Sequence, residues 1–210
     1  MSVIELTNLR PPELLTTYKL DGRPWLICGM GPSFSRYKEV DLSKYNVLGI
    51  NRVVSLIPVD LCSIIDFYII DKVKDSILEQ AKYLVIPYYP HFMCRPHLNL
   101  SIMNLILQSK LLRQMLREER LLSYNLITCP IKSSEAPFVR AKFFSAEAAF
   151  SMLGHLGVKE IYTLGVDGGS IRSELFKDHG PTDPRGFDLQ WEGINRTVEH
   201  FGIHYEPLFR

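Results

Sequence analysis

Short runs of β-branched and aromatic residues alternate along the chain with longer stretches in which apolar residues recur at helical spacing. The short runs predict strands at residues 25–29, 46–50, 66–70, 83–87, 125–128, 160–166 and 204–207. The longer stretches predict helices at residues 73–82, 101–122, 145–156 and 189–201. Several predicted strands are apolar throughout, which is typical of strands covered on both faces in a mostly parallel sheet. The alternation therefore predicts a three-layer α/β fold.

No feature of the sequence marks a domain boundary. The 210 residues contain no repeat, no low-complexity tract and no Ser/Gly-rich linker. Hydrophobic residues make up 46% of the chain, which is enough to build a sizeable core at this length. We therefore expect residues 1–210 to form a single α/β domain.

Charge and hydropathy exclude several classes of protein. The chain has 24 Lys and Arg against 23 Asp and Glu, and its net charge of +1 excludes the binding of a polyanion by bulk charge, so we expect no nucleic-acid partner. No stretch approaches the ~18 uncharged apolar residues that a membrane-spanning helix needs. The N-terminus has no basic-then-apolar export pattern, so we expect a cytoplasmic location and no transmembrane segment. The scattered cysteines, Cys28, Cys62, Cys94 and Cys129, predict buried thiols rather than a disulfide framework.

The turn after the first predicted strand is the most informative segment. Its sequence is Gly29-x-Gly31-Pro32-Ser33, in which the glycines let a backbone approach a ligand closely and the serine offers a hydroxyl at a candidate helix N-cap. Turns of this kind at the carboxyl ends of parallel strands bind phosphates. The fingerprint Gly-x-Gly-x-x-Gly is excluded, because Phe34 occupies the third glycine position. An ordinary Gly-Pro-Ser turn is the alternative.

Polar residues also follow the second and third predicted strands. Asn51 can offer both donors and an acceptor to a base or ribose, and Arg52 can contact a phosphate, although a surface arginine is the alternative. Asp71 is placed at the same edge if the strands are parallel. We therefore expect three polar strand ends, the turn at Ser33, the end at Asn51 and Arg52, and the end at Asp71, to converge on one edge of the sheet.

A second candidate crossover lies in the C-terminal half. Ser145 is predicted to cap a helix, and the strand that follows this helix ends in Gly165-x-Asp167. Asp167 is then a further carboxylate at the ligand edge. The sequence contains no Gly-x-Ser-x-Gly, Walker or His-Glu-x-x-His motif.

Together these motifs resemble a known family. The Gly-x-Gly-Pro-Ser turn, Asn51 and residues 145–167, with the run GVKEIYTLGVDGG, are similar in order and spacing to the small Rossmann-like, GT-A-type bacterial sialyltransferases that use CMP-sialic acid. They also resemble the related domain of archaeal 6-hydroxymethylpterin diphosphokinases and of bacterial motility-accessory glycosylation proteins. The resemblance covers most of the chain. It implies a glycosyltransferase that moves a sugar from a nucleotide donor, a CMP-linked acidic sugar such as sialic acid, to a hydroxyl acceptor without a required metal.

The same resemblance implies roles for individual residues. It places the turn at residues 29–33 along the nucleotide phosphate, and Asn51 and Asp71 beside the cytidine and sugar. It places Ser145, Gly165 and Asp167 on the other side of the nucleotide. The family's general base is a histidine after the Gly-x-Asp strand, and His179 matches it within a predicted flexible lid at residues 168–187. The residues implied at the nucleotide are Gly29, Gly31, Pro32, Ser33, Asn51, Asp71, Ser145, Gly165 and Asp167.

The chain departs from the family pattern at three positions. Met30 stands where those sialyltransferases commonly have Asn, and Gly169 and Glu174 stand where they have two tyrosines that support the leaving phosphate. Arg172 and Lys177 can supply that electrostatic support instead.

Two other functions remain open at this point. One is a pyrophosphokinase for a pterin-like alcohol, in which Asp66, Asp71 and Asp167 would hold Mg²⁺. The other is a nucleotide-binding module without catalysis. The segment His91-x-x-Cys94-x-x-His97 has the spacing of zinc ligands, but no second pair of ligands follows that would complete a tetrahedral site. We therefore predict that it is a loop packed against the core and not a metal centre.

An apolar cluster in the middle of the chain has two interpretations. Core packing is favoured, and an interface of a homo-oligomer is the alternative. The residues concerned are Tyr88, Tyr89, Phe92 and Met93.

Overall fold

The computed structural model of the protein describes residues 12–89, 102–128, 135–142, 144–179 and 186–209, with His179 described by its main chain alone. Within these ranges nine strands form one sheet, and every neighbouring pair runs parallel. The predicted parallel α/β sheet is thereby confirmed. The strands are β1 Glu13–Leu14, β2 Trp25–Cys28, β3 Asn46–Ile50, β4 Val59–Ser63, β5 Ala81–Pro87, β6 Leu121–Leu126, β7 Phe138–Val139, β8 Glu160–Leu164 and β9 His204–Pro207.

Helices cover both faces of the sheet. Of the helices that the structure describes, none is both long and apolar enough to cross a membrane. The α-helices are α1 Phe67–Lys72, α2 Lys74–Gln80, α3 Ile102–Gln108, α4 Lys110–Arg117, α5 Ser145–His155 and α6 Gln190–Phe201, and the longer 3₁₀-helices are Pro32–Glu39, Asn51–Ser55 and Glu174–His179.

The two cores on either side of the sheet explain why the strands are apolar throughout. Successive residues of a strand point to opposite faces. Trp25 and Ile27 of β2 belong to the core under α5 and α6, whereas Leu26 and Cys28 belong to the core under α1 to α4. A strand buried on both faces therefore needs apolar residues at consecutive positions.

The strand predicted at residues 66–70 is wrong. This segment forms α1, and the strand beside β3 is β4, which comes earlier in the chain. The burial of Ile69, Ile70 and Val73 recurs at helical spacing and brings α1 and the following turn onto the core. Asp71 consequently lies on an exposed part of α1 rather than at the end of a strand.

The long helix predicted at residues 101–122 is divided into two. Ser109 separates α3 from α4, and its hydroxyl caps α4 by accepting a hydrogen bond from Leu112 N at 3.3 Å. Glu119 has a φ of 57°, which a right-handed helix does not continue. The chain then turns into β6, which starts at Leu121, earlier than predicted.

The order of the strands places a crevice at a definite point of the sheet. The order is β1-β6-β5-β4-β3-β2-β8-β9, with β7 beside β6. From β2 the chain builds one half of the sheet, and with β8 it returns to the other side of β2. In open α/β sheets, ligands bind at the carboxyl ends of the strands where the order reverses. The turns after β2 and β8 therefore border the expected ligand site.

The two described cysteines agree with the predicted buried thiols. Cys28 and Cys62 are fully buried in the sheet, and burial raises the pKa of both thiols. Cys94 and Cys129 lie outside the described residues.

We expect Gly154→Ala to destabilise the packing of α5 on α6. A Cβ at Gly154 would overlap the ring of Phe201. Alanine normally stabilises a helix relative to glycine, but overpacking should here lower the free energy of unfolding by about 1–3 kcal/mol. Urea unfolding measures this change. In the control Asn195→Ala, on the exposed side of α6, the change should stay within about 0.5 kcal/mol. Undiminished stability of Gly154→Ala would contradict the close packing of the two helices.

Candidate functional site

A cavity of about 330 Å³ lies at the carboxyl edge of the sheet, where the strand order reverses. Its wall combines the turns after β2 and β8, the residues after β3 and β4, and the beginnings of α5 and α6. The lining residues are Gly29, Met30, Gly31, Ile50, Asn51, Asp66, Tyr68, Phe144, Ser145, Ala146, Gly165, Val166, Asp167, Gly168, Arg172, Phe187 and Gln190.

The turns after β2 and β8 are held together by backbone hydrogen bonds and close contact. Gly29 N donates to Leu164 O and Gly31 N donates to Gly165 O, each at 2.8 Å. Gly165 has a φ of 74°, and a Cβ on Gly29 or on Gly165 would overlap the carbonyl oxygen of the other. These glycines are therefore required by the approach of one turn to the other.

A side-chain bridge reinforces the same pair of turns. Ser33 N donates to Asp167 Oδ2 at 2.7 Å and Ser33 Oγ donates to Asp167 Oδ1 at 2.6 Å. Ser33 Oγ also accepts a hydrogen bond from Gly165 N at 2.7 Å. Of these residues, Gly165 and Asp167 line the cavity and Ser33 does not. Ser33 thus acts on the site by holding the two turns.

Asn51 is the most constrained polar residue of the cavity wall. It follows β3 with a φ of 55°, in the left-handed region that non-glycine residues rarely occupy. Only 7% of the residue is exposed, and its Oδ1 has no hydrogen-bond partner. Backbone strain and an unsatisfied buried oxygen in one cavity residue are typical of a ligand site.

Besides Ser33, three of the predicted site residues do not line the cavity. Arg52 is half-buried in the 3₁₀-helix Asn51–Ser55, and Pro32 lies on the exposed start of its own 3₁₀-helix. Asp71 is exposed on α1, because its segment is helical. Of the residues predicted at the ends of the second and third strands, Asn51 lines the cavity and Arg52 and Asp71 do not.

The start of α5 forms another part of the wall. Phe144 is the N-cap residue and Ser145 is the first helical residue, so the cap lies one position earlier than predicted. The buried carboxylate of Glu147 accepts hydrogen bonds from Lys142 N at 2.9 Å and Phe144 N at 3.0 Å. This carboxylate fixes the chain that enters α5, so that the positive end of the helix dipole lies at the cavity.

An aromatic wall and one cation close the cavity on the side of α6. The rings of Phe144 and Phe187 meet edge to face with centroids 5.4 Å apart. The guanidinium of Arg172 lies over the ring of Phe187, 5.6 Å from its centroid. Partial burial lowers the pKa of Arg172, but arginine stays charged at neutral pH. The cavity therefore combines apolar rings with a fixed positive charge.

The carboxylates do not form the predicted magnesium site. Asp66 and Asp167 both line the cavity, whereas Asp71 does not. Among the residues that the structure describes, no three carboxylate, histidine or cysteine side chains are grouped as metal ligands. The proposed Asp66, Asp71 and Asp167 set is thus not assembled. The spacing from His91 to His97 lies outside the described residues.

The predicted lid is described at its two ends. Phe187 N donates to Gly169 O at 2.5 Å, and Gly169 N donates to Asp188 Oδ1 at 2.9 Å. Between these ends, the 3₁₀-helix Glu174–His179 packs against the first turn, with the ring of Phe176 5.2 Å from that of Phe34. The His179 side chain, residues 180–185 and with them Asp183 lie outside the described atoms.

Several cavity residues carry no clear signal in the sequence. Asp66 and Tyr68 belong to a segment that the sequence predicts as a strand. Phe187 begins a short 3₁₀-helix and Gln190 begins α6, and neither start contains a recognisable motif. Phe144 is the exception, because it directly precedes the predicted helix start at Ser145.

Comparison with known proteins identifies relatives of the fold. No protein-family model matches the chain, and no curated protein sequence matches it. Among solved structures, the monofunctional alpha-2,3-sialyltransferase Cst-I from Campylobacter jejuni is similar with a TM-score of 0.53 and 15% identity, over 90% of this chain and 77% of that chain. An alpha-2,3-sialyltransferase from Campylobacter jejuni in apo form is similar with a TM-score of 0.51 and 14% identity, over 95% of this chain and 79% of that chain. The chain shares the GT-A-like α/β fold of these enzymes.

Ser33→Ala should loosen the two turns at the cavity. It removes the Oγ contacts to Asp167 and Gly165, which should lower the free energy of unfolding by about 1 kcal/mol. Asp167→Asn should have a similar effect, and the double variant should be less destabilised than the sum of the two, because both changes break one interaction. Urea unfolding of the three variants measures the coupling. Ser35→Ala, in the same 3₁₀-helix but exposed, serves as the control. If the double variant loses the sum of the two single changes in the free energy of unfolding, Ser33 and Asp167 do not stabilise the protein through a shared hydrogen bond.

Proposed function

We propose that the protein is a glycosyltransferase that moves a sugar from a CMP-linked donor, an acidic sugar such as sialic acid, to a hydroxyl acceptor. The observation that carries the proposal is the cavity at the point where the strand order reverses, whose wall contains the strained, unsatisfied Asn51 and the half-buried Arg172. A polar ligand with a negative charge complements this pair. The cavity volume of about 330 Å³ lies in the range of small-molecule sites.

The fold supports the choice of reaction. The two sialyltransferase structures named above are similar to this chain over most of its length. The motif resemblance leads to the same enzyme group independently, through the turn after β2, Asn51 and the Gly165-x-Asp167 strand end. A pterin diphosphokinase is not favoured, since the aspartates that would hold its magnesium are not grouped.

The nucleotide would be held by three different parts of the wall. Asn51 Oδ1 can accept a hydrogen bond from a base amine or a ribose hydroxyl, which would satisfy the buried oxygen. The amino end of α5 at Ser145 favours a phosphate through its unpaired N–H groups and dipole. Gly29, Gly31, Gly165 and Asp167 would shape the floor below the nucleotide.

Arg172 is the group that we assign to the leaving phosphate. As the acceptor oxygen bonds to the anomeric carbon, the bond from that carbon to the phosphate oxygen breaks, and CMP departs with the electron pair. A guanidinium held in place over Phe187 can neutralise the charge that develops on this phosphate. It would replace the two tyrosines that the related enzymes have where this chain has Gly169 and Glu174. Lys177 is exposed, so its contribution would be smaller.

His179 is the residue that we assign as general base. The acceptor hydroxyl has to lose its proton during the transfer, and an imidazole with an ordinary pKa near 6.5 can take it at neutral pH. The main chain of His179 ends the 3₁₀-helix Glu174–His179, which packs on the turn after β2. Residues 168–187 would then act as a lid that brings the base to the acceptor.

Thermal shift with CMP, UDP, ADP and ATP, each with and without Mg²⁺, tests the nucleotide. We expect CMP to raise the melting temperature without metal, because ligand at about 100 times its Kd stabilises the folded state by about 2.7 kcal/mol. Stabilisation by ATP that requires Mg²⁺, with no effect of CMP, would contradict the proposal.

Two arginine variants check where the phosphate binds. Arg172→Ala should raise the Kd for CMP by about tenfold or more, as expected for the loss of a charge-assisted hydrogen bond. Arg52→Ala, outside the cavity wall, should change this Kd by less than about twofold. A larger rise in the Kd for Arg52→Ala than for Arg172→Ala would contradict the assignment and indicate that the phosphate binds beside the residues after β3.

His179→Ala separates catalysis from binding. We expect kcat with a CMP-linked sialic acid donor to fall by roughly 10²- to 10⁴-fold, while the Kd for CMP changes little. In the unaltered protein, activity should decline below about pH 6.5, as the imidazole becomes protonated. Equal turnover of variant and unaltered protein would remove His179 from the mechanism, and the carboxylates Asp178 and Asp183 would be tested next.

A further inference from the structure

Residues 169–178, which follow the turn after β8, are attached to the rest of the protein at two points. The buried residues of this stretch are Ser173 and Phe176, each 2% exposed, and Arg172 beside them is half-buried. The other residues of the stretch are exposed. A stretch with so few buried side chains depends on those few for its position.

The first attachment is a main-chain hydrogen bond directly after Arg172. Ser173 N donates to Met30 O at 2.9 Å, and Phe176 N in turn donates to Ser173 O at 2.9 Å. Met30 belongs to the turn after β2 and lines the cavity. The residue that follows Arg172 is therefore tied to the cavity wall.

The second attachment is the ring of Phe176. It packs against the ring of Phe34 with centroids 5.2 Å apart, and Phe34 is completely buried in the core under α1 to α4. Phe34 directly follows Ser33, whose bridge to Asp167 holds the turns after β2 and β8 together. Phe176 thus anchors its segment to the same junction that borders the cavity.

The backbone departs from helical geometry at this anchor. Phe176 has a φ of −124° and a ψ of 19°, although it lies inside the 3₁₀-helix Glu174–His179. The internal hydrogen bonds of a short 3₁₀-helix have poor geometry, so the burial of an aromatic ring can determine the path of the chain. The position of this segment therefore follows from the Phe176 contact rather than from a helix that holds its own shape.

Arg172 is the point at which this segment reaches the cavity. Its guanidinium lies over Phe187, and the Ser173 hydrogen bond fixes the main chain next to it. Arginine has a long, flexible side chain that loses much rotamer freedom when it binds a ligand. Contacts that fix its main chain in advance reduce this cost and therefore improve the binding of a phosphate.

We infer that Phe176 is a positioning residue that acts through Arg172: its ring fixes residues 172–176 on the turn after β2 and so holds the guanidinium at the leaving phosphate. The inference rests on the proposed function and adds a residue that touches neither substrate. Phe176 does not line the cavity, so its substitution removes no direct contact to a ligand.

Isothermal titration calorimetry with CMP and with cytidine tests this role. Phe176→Ala should raise the Kd for CMP about tenfold, as expected for Arg172→Ala, because both changes take the guanidinium away from the phosphate. The Kd for cytidine, which has no phosphate, should change by less than about twofold. In the double variant the Kd for CMP should stay close to that of Arg172→Ala, whereas independent effects would multiply to about a hundredfold.

Control variants separate positioning from a loss of stability. Leu175→Ala changes the exposed neighbour of Phe176 and should leave both Kd values unchanged. Leu112→Ala opens a cavity in the same core but on α4, and it should lower the melting temperature without changing the Kd for CMP. Phe176→Leu keeps an apolar side chain and should raise the Kd for CMP by about threefold, so it carries the test if Phe176→Ala does not fold.

The inference is overturned if folded Phe176→Ala and Phe176→Leu bind CMP as the unaltered protein does, even if their turnover is reduced. It is also overturned if the Kd values for CMP and cytidine rise equally, or if the effects of Phe176→Ala and Arg172→Ala multiply. In each of these cases, CMP binding by the unaltered protein leaves the proposed donor in place. If the unaltered protein does not bind CMP, the proposed function fails and the role of Phe176 fails with it.

Discussion

The close approach of the turns after β2 and β8 determines the geometry of the candidate site. Gly29 and Gly165 leave no room for a side chain between them, and Ser33 and Asp167 add a hydrogen-bonded bridge. The two strands adjoin where the strand order reverses, which is where open α/β sheets bind their ligands. A rigid connection at this point holds the floor of the crevice at a fixed depth.

The same connection changes how an anion can be bound. A glycine-rich turn after a parallel strand usually binds phosphate through its backbone N–H groups. Here the N–H groups of Gly29 and Gly31 donate to Leu164 and Gly165 across the junction. Positive potential in the cavity therefore comes mainly from Arg172 and from the amino end of α5. Both line the cavity, so an anionic ligand is favoured there.

Asn51 reduces stability at the wall of this crevice. It has a left-handed backbone conformation and an unsatisfied buried oxygen. Such features cost free energy and persist where the surrounding packing enforces them. Two cores of buried aliphatic residues enclose the sheet and supply that packing. The rigid sheet thus offsets a strained, polar edge, as expected where binding rather than stability governs the choice of residue.

The fold class follows from the sequence alone, because strands buried on both faces need consecutive apolar residues, whereas apolar residues of the helices between them recur every three to four positions. The sequence also located Asn51 and the two glycine turns, since strand ends in a parallel sheet share one edge. It could not place residues 66–70, whose apolar content fits a strand or a buried helix equally well; only packing against the second core decided for α1. Contacts between distant segments decided the rest. The bridge from Ser33 to Asp167 and the aromatic wall beside Arg172 join residues far apart in the chain, and no local pattern records which side chains will meet.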